Sequence, residues 1–345
     1  MKELIKFEFQ KIIGQKSIYI IGLLMFSLFL FVFVPPSENR EANYAPYEGE
    51  ITAETAEELK DLRGTEAANH VYQSFLNERG IAELVQEKIQ ELAVAADNDP
   101  AAAMEREMLQ QLTLDTFYYH DAPGQTIDFV NTFGLVIAGA LILLGLFNIF
   151  SNEYATGVDH YIFTSKRGRK QIVHAKLFAS FLYTFLVVCA WVLFDVIYHY
   201  IRLGGSGWQS PLQFIWKYRD SPYDFTMAEY FGTQVGIHLI GALGFAALVL
   251  FISALSSKSI VSFLVSGIIF GLPIVWTSIL RQDSNWLTDI SFTNIMKVEE
   301  LFLNFSVYDV GGLFILKPIF LVVLCLIFSF VLIYATYYYI RRREV

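Results

Sequence analysis

The sequence predicts an all-α integral membrane protein with six transmembrane helices, an N-terminal interfacial helix and a helical extracellular insertion between the first and second spans. Three observations carry this. Of 345 residues, 54% are hydrophobic and only 17% charged, with mean hydropathy +0.44, whereas soluble domains carry about 25% charge. The apolar residues gather in six blocks that meet or approach the roughly 20 needed to cross a bilayer. Lys and Arg cluster in short segments between alternate blocks, the pattern of cytoplasmic loops. Cys189 and Cys325 both lie inside apolar blocks, so they build neither a disulfide framework nor a zinc cluster.

Residues 1–17 are too charged to span but place Ile5, Phe9 and Ile12 on one helical face bordered by lysines, as expected of a helix lying in the inner interface. The first span, 18–34, stops at Pro35-Pro36, which cannot continue a helix. A cleaved signal peptide shares this pattern, but the lysines are spread over sixteen residues and no small-x-small cleavage site follows. Residues 35–127 form the predicted extracellular domain. They hold 19 Asp or Glu against 6 Lys or Arg, net −13, which leaves +4 for the rest of the chain. Thr55 with Glu58 reads as a capping box, Asp99 before Pro100 as a helix start, and Gly64 and Gly80 as stops, giving two or three helices.

Residues 128–345 supply the remaining spans at 129–150, 172–200, 231–255, 260–280 and 313–340. Lys2, Lys6, Lys11 and Lys16, the loop 151–171, Lys258 and Arg341 to Arg343 place both termini inside, with Tyr337 to Tyr339 as an interfacial aromatic belt. The external loop 202–228 contains Gly204-Gly205-Ser206-Gly207 and gives no chemistry. In the second external loop, residues 290–305 suit a short helix resting on the membrane surface. Gly232 with Gly236, Gly267 with Gly271, and Gly134 with Ala138 have the small-residue spacing that lets helix backbones approach.

Phosphate-binding and catalytic motifs are missing. There is no G-x-x-x-x-G-K-[ST] loop to cradle a nucleotide, no H-E-x-x-H and no G-x-S-x-G, so energised work needs ATP hydrolysis by another chain. Asp195 and His199 lie i,i+4 in the third span, close enough to share a proton or metal, but near its outer end, where polar side chains reach water. His238 lies deeper, where a hydrogen bond to a neighbouring helix explains it more simply than a functional role.

The loop SNEYATGVDHYIFTSKRGRKQIVHAKLFAS after the second span resembles the motif at this place in type-two permeases of ATP-binding-cassette (ABC) transporters. The resemblance is carried by Glu153, Thr156, Gly157, Ser165, Arg167 and Lys176. Thr156 precedes the glycine here, and no proline precedes Ser165. The six-span topology with an interfacial N-terminal helix extends the resemblance over nearly the entire chain. The long insertion is similar to that of Gram-positive permeases linked to export of, or immunity to, toxic and antimicrobial peptides.

The resemblance implies a bacterial cell-membrane subunit with no bound cofactor of its own, working with two ATPase subunits that use ATP and Mg and with a second permease chain, identical or not. No nucleic-acid partner is expected. ATPase closure would act on the loop through Glu153, Tyr154, Thr156, Gly157, Ser165, Lys166, Arg167, Arg169, Lys170 and Lys176. The path would run along the second and fifth spans, with Phe133, Phe147, Phe263, Phe270 and Trp276 suited to an amphipathic peptide or lipid-like cargo. Two readings from other classes stand beside it: an intramembrane enzyme using Asp195, His199 and His238, and a membrane sensor whose external cap binds a ligand.

Overall fold

The computed structural model describes residues 1–32, 40–61, 66–158, 168–280 and 285–342. Among them, five helices are long and apolar enough to cross a membrane, and a bent pair supplies a possible sixth crossing. The pair is α1 (Lys2–Ile13) and α2 (Lys16–Val32), which meet at 54°. The bend is pinned from outside. Gln15 donates to the Gly145 carbonyl at 3.0 Å and accepts from Asn148 at 3.3 Å. Leu23, Leu24 and Phe31 of α2 face outward, as a lipid-facing surface requires, while Phe29 is fully buried among the rings of Phe129, Phe133 and Tyr198.

Within the insertion, α3 (Arg40–Tyr44) and α4 (Ala53–Asp61) precede two longer helices, α5 (Glu66–Ala95) and α6 (Pro100–Gln110). Strand β1 (Gly49–Glu50) pairs antiparallel with β2 (Thr116–Phe117). Tyr44, Leu59, Val71, Phe75 and Phe117 form its small core. Asp99 caps α6 as expected, accepting from Ala101 at 2.9 Å. Two expectations are corrected. Helix α5 runs through Gly80 without a stop, because the roughly 1 kcal/mol cost of a helical glycine is outweighed by the buried contacts of Phe75, Ile81 and Val85 on either side. At the start of α4 the hydroxyl that accepts a backbone N–H is Thr52, bonded by the Thr55 amide at 3.2 Å, so Thr55 is not the cap. Gly64 lies outside the described residues.

The insertion is seated on the 202–228 loop, so the glycines there do have a task. The Glu41 carboxylate accepts from the Gly205 and Ser206 amides at 3.3 and 3.1 Å, and Gly204 turns the chain at φ +96° against that carboxylate. A side chain at Gly204 would both strain the backbone and displace Glu41.

Burial within α5 holds the Glu78 carboxyl well above the ordinary carboxylate range, despite a hydrogen bond from Ser74. His120, 3.6 Å from Glu78, is lowered by burial below the ordinary histidine range. Because the folded state favours the protonated carboxyl, its contribution to stability is complete below the unfolded value of 4.5 and is lost as pH rises through the raised folded value. Glu78→Gln is therefore expected to slow amide exchange across α5 relative to wild type at pH 8, with the difference vanishing near pH 4.5. Equal protection at both pH values would contradict it.

The second span is embedded in a 36-residue helical run, Asp121–Thr156: α7 (Asp121–Phe129), a π-helical segment Val130–Gly134, α8 (Leu135–Leu146) and, after a turn, α9 (Ser151–Thr156). The helix thus begins inside the segment assigned to the insertion. Helix α10 (Gly168–Leu203) has 36 residues and a length of about 54 Å, well over the roughly 30 Å hydrocarbon core. Helix α11 (Met227–Leu255) starts on a Thr226–Glu229 capping box. Helix α12 (Ser259–Ile274) passes into a second π-helical segment, Val275–Ile279.

Three short helices follow: α13 (Trp286–Asp289), α14 (Phe292–Lys297) and α15 (Glu299–Phe302). The expected surface helix over 290–305 is corrected here. Ile295, Met296, Val298 and Leu301 are fully buried. Gly241 and Gly244 of α11 leave the groove that admits Met296 and Phe292. The last span also starts later than expected. Residues 313–316 pair as β4 (Leu313–Leu316) with β3 (Val307–Val310) across Gly311-Gly312, both at positive φ as a tight hairpin turn requires. Helix α16 (Lys317–Arg342) then completes the bundle.

Of the glycines with small-residue spacing, Gly134 makes the expected close approach and Gly267 an ordinary contact with Leu143 at 3.5 Å, while the other three do not. A Cβ at Gly232, Gly236 or Gly271 would meet nothing within 4 Å. At Gly134 it would meet the Trp191 ring at 2.9 Å, at Gly139 the Phe270 ring, and at Gly145 the Tyr183 ring. Spacing along one helix says nothing about which face a bulky neighbour occupies.

Candidate functional site

Among the described residues, the densest ionic arrangement joins three separate elements at the end of the bundle where α1 begins and α16 ends. Lys176, near the start of α10, is 1% exposed. Its ammonium donates to Glu153 of α9 at 2.7 Å, to Glu8 of α1 at 2.9 Å and to the Ile149 carbonyl at 3.0 Å. Lys11 of α1 closes the cluster, 2.9 Å from Glu153 and 3.2 Å from Glu8, with its side chain partly in solvent. Two carboxylates thus face two ammonium groups. All three donors of Lys176 are used, which is the condition for holding a charge away from water.

Local sequence explains each position. Glu8 sits between Ile5 and Ile12 on α1 and is buried with Ile12, so the helix presents a carboxylate from the middle of its apolar stripe. Helix α9 is stopped by Gly157 at φ +70°, whose amide returns to the Glu153 and Tyr154 carbonyls. Thr156 donates to the Asn152 and Glu153 carbonyls at 2.9 and 3.2 Å. Glu153, Thr156 and Gly157 therefore form one unit: an acid that reaches Lys176 and two residues that end its helix. The break before α9 is tied to the α11–α12 turn. Ser253 accepts from the Phe150 and Ser151 amides at 3.1 and 3.3 Å, and the Ser151 and Ser259 hydroxyls lie 3.0 Å apart.

Of the residues singled out in the loop, Tyr154 packs against the main core, Thr156 and Lys170 are exposed, and Lys176 is buried. Ser165, Lys166 and Arg167 lie outside the described residues, and Arg169 falls in the first turn of α10. Glu153 serves chiefly as the partner of Lys176 and Lys11, beyond the favourable placement near a helix start that its position suggested. The sequence reading missed Glu8. The available signal was a carboxylate at i+3 from Ile5 and i−4 from Ile12.

Of the aromatic residues singled out on the second and fifth spans, Phe133, Phe147, Phe263 and Phe270 are half-buried and Trp276 is more exposed. Phe147 meets Phe263 edge-on at 5.4 Å, and Phe270 packs on Phe245 at 4.7 Å, so these rings knit α8, α11 and α12 together. Phe133 lines a cavity between α2, α8 and α12.

The expectation that Asp195 and His199 reach water is corrected. They are 0% and 2% exposed, 2.7 Å apart, because the rings of Phe29, Phe129 and Tyr198 close over His199. His238 is held elsewhere, its Nδ1 2.7 Å from the Met296 carbonyl and its ring on Trp191 at 5.0 Å, as the simpler reading anticipated. Among the described residues no three His, Cys, Asp or Glu side chains gather as a metal site.

The fold and this site define a multi-pass helical membrane protein with a buried ionic junction at its terminal face. Comparison with protein-family models, curated proteins and solved structures finds no match.

Proposed function

We propose that this chain is the permease subunit of an ABC exporter in a bacterial cell membrane, with both termini and the face bearing α1 and α9 in the cytoplasm. The single observation that carries the reading is the Glu8–Lys176–Glu153–Lys11 cluster. It ties the loop that resembles a coupling motif to the interfacial helix and to the start of the third span, so a push on 154–170 moves α1, α9 and α10 together. Three of the motif residues, Glu153, Gly157 and Lys176, take part in this junction or in ending the helix that feeds it.

In this reading two ATPase subunits, using ATP and Mg, dock beneath a pair of permease chains, and their closure switches the pair between inward and outward openings. The cargo is an amphipathic molecule, most simply a peptide toxin or antimicrobial peptide, drawn to an insertion whose net charge of −13 favours cations. The test is reconstitution with the cognate ATPase. Arg167→Glu combined with Glu153→Ala should reduce cargo-stimulated ATP hydrolysis while the complex still inserts. Full activity of the isolated chain with no companion subunit would overturn the proposal.

A further inference from the structure

A cavity of about 570 Å³ opens between α2, α8 and α12, at the end of the bundle remote from the ionic cluster. Its size lies within the roughly 300–1,000 Å³ of small-molecule sites. Two features mark it. Both spans that wall it leave α-helical geometry there: Asn131 to Phe133 belong to the first π-helical segment, and Thr277 to the second. π-Helical turns are rare and concentrate at functional sites, and the two among the described residues face one space.

The second feature is a division of the lining. Its body is apolar, from Met25, Leu28, Leu135, Val136 and Ile274, and Leu28 and Val136 are themselves about half exposed on the lipid-facing surface. The cavity can therefore be entered sideways from the membrane. Its rim carries both signs of charge. Lys217 is bound by Asp128 and, at 2.8 Å, by Glu299, while Lys297 contacts Glu300 at 2.9 Å. Burial works against the Lys217 ammonium, but Glu299 and Asp128 outweigh it and raise its pKa above the ordinary lysine value, so it is charged. Lys217 keeps one donor beyond these partners and Lys297 keeps two.

We infer that this cavity binds a zwitterionic lipid from the leaflet on the insertion side, with an acyl chain along Met25, Leu28 and Val136 and the headgroup between Lys297 and Glu299. A purely apolar ligand would leave the rim charges to water, and an anionic one would meet Glu299 in the lining, with lysines whose charge is already shared with Asp128, Glu299 and Glu300. A headgroup carrying a phosphate and an ammonium satisfies both signs. The cavity lies between the second and fifth spans, where the transport reading puts its path, so the inference concerns that same site, but lipid occupancy is read without ATP or a partner chain and its failure is distinguishable from failure of transport.

The test is photolabelling of the full-length protein in nanodiscs with a phosphatidylcholine bearing a diazirine on its acyl chain. Peptides covering Met25 to Leu28 and Asn131 to Ile137 should be labelled at least fivefold above the exposed face of α16 around Phe330. Unlabelled phosphatidylcholine should compete better than phosphatidylglycerol of the same chains. Val136→Trp, which fills the cavity, should abolish the excess label without changing that at Phe330, and Lys297→Glu should weaken it severalfold. Labelling equal to that of α16, indifference to both substitutions, better competition by the anionic lipid, or displacement only by an amphipathic peptide would each overturn the assignment. A lowered thermal midpoint in Val136→Trp is controlled by Leu28→Trp, which approaches the same space from α2.

Discussion

Lys176→Met is expected to cost about 3–5 kcal/mol of stability, the usual penalty for leaving a buried charge without its partner, and, on the proposed permease reading, to abolish ATP-driven transport. The variant strands Glu8 and Glu153, both within 3 Å of the lost ammonium, with only the partly exposed Lys11 between them. Adding Glu8→Gln removes one negative charge, leaves the Lys11–Glu153 pair and should recover most of the lost stability. The double variant separates two roles. If the junction transmits motion, thermal unfolding in detergent returns toward wild type while transport in vesicles with the ATPase stays lost. If transport returns along with stability, the cluster is a static anchor and the coupling proposal loses its main support.

Gly139→Val should produce the second large effect. Any side chain at 139 runs into the Phe270 ring, and overpacking of this kind costs about 1–3 kcal/mol or more. Phe270→Ala alone empties the same space, at a cost below the roughly 3–5 kcal/mol of a fully buried phenylalanine because this ring is half-buried. Because one site is overfilled by the first change and emptied by the second, the double variant should be less destabilised than the two single losses combined, measured as thermal midpoints in one detergent. Strict additivity would mean that α8 and α12 are not held together at this contact.

What could be seen in the sequence, and what could not, follows from the range of each signal. Apolar runs in α10, α11, α12 and α16 are long enough to stand out without any partner, and Asp99 caps α6 through atoms two residues apart. The same local logic overreached at Gly80, where packing outweighs propensity, and at 313–316, where a Gly-Gly turn converts an apolar run into a strand. Within the candidate site, Glu153 and Lys176 could be singled out by their motif. Their direct contact at 2.7 Å could not, nor could the participation of Glu8, 168 positions away from Lys176. The burial of Asp195 and His199 was misjudged for a similar reason. Position along α10 is a local property, but the rings covering His199 come partly from α2 and α7.

By itself the sequence determined that this is a helical membrane protein, because hydrophobic length and charge content are properties of single segments and the bilayer acts on each segment separately. Tertiary structure alone decided which polar groups are shielded and which partners they find. A buried charge is tolerated only when opposite charges arrive from other elements. The meeting of α1, α9 and α10 at Lys176, and of two π-helical segments at one cavity, is fixed by packing in three dimensions and is written in no local run of residues.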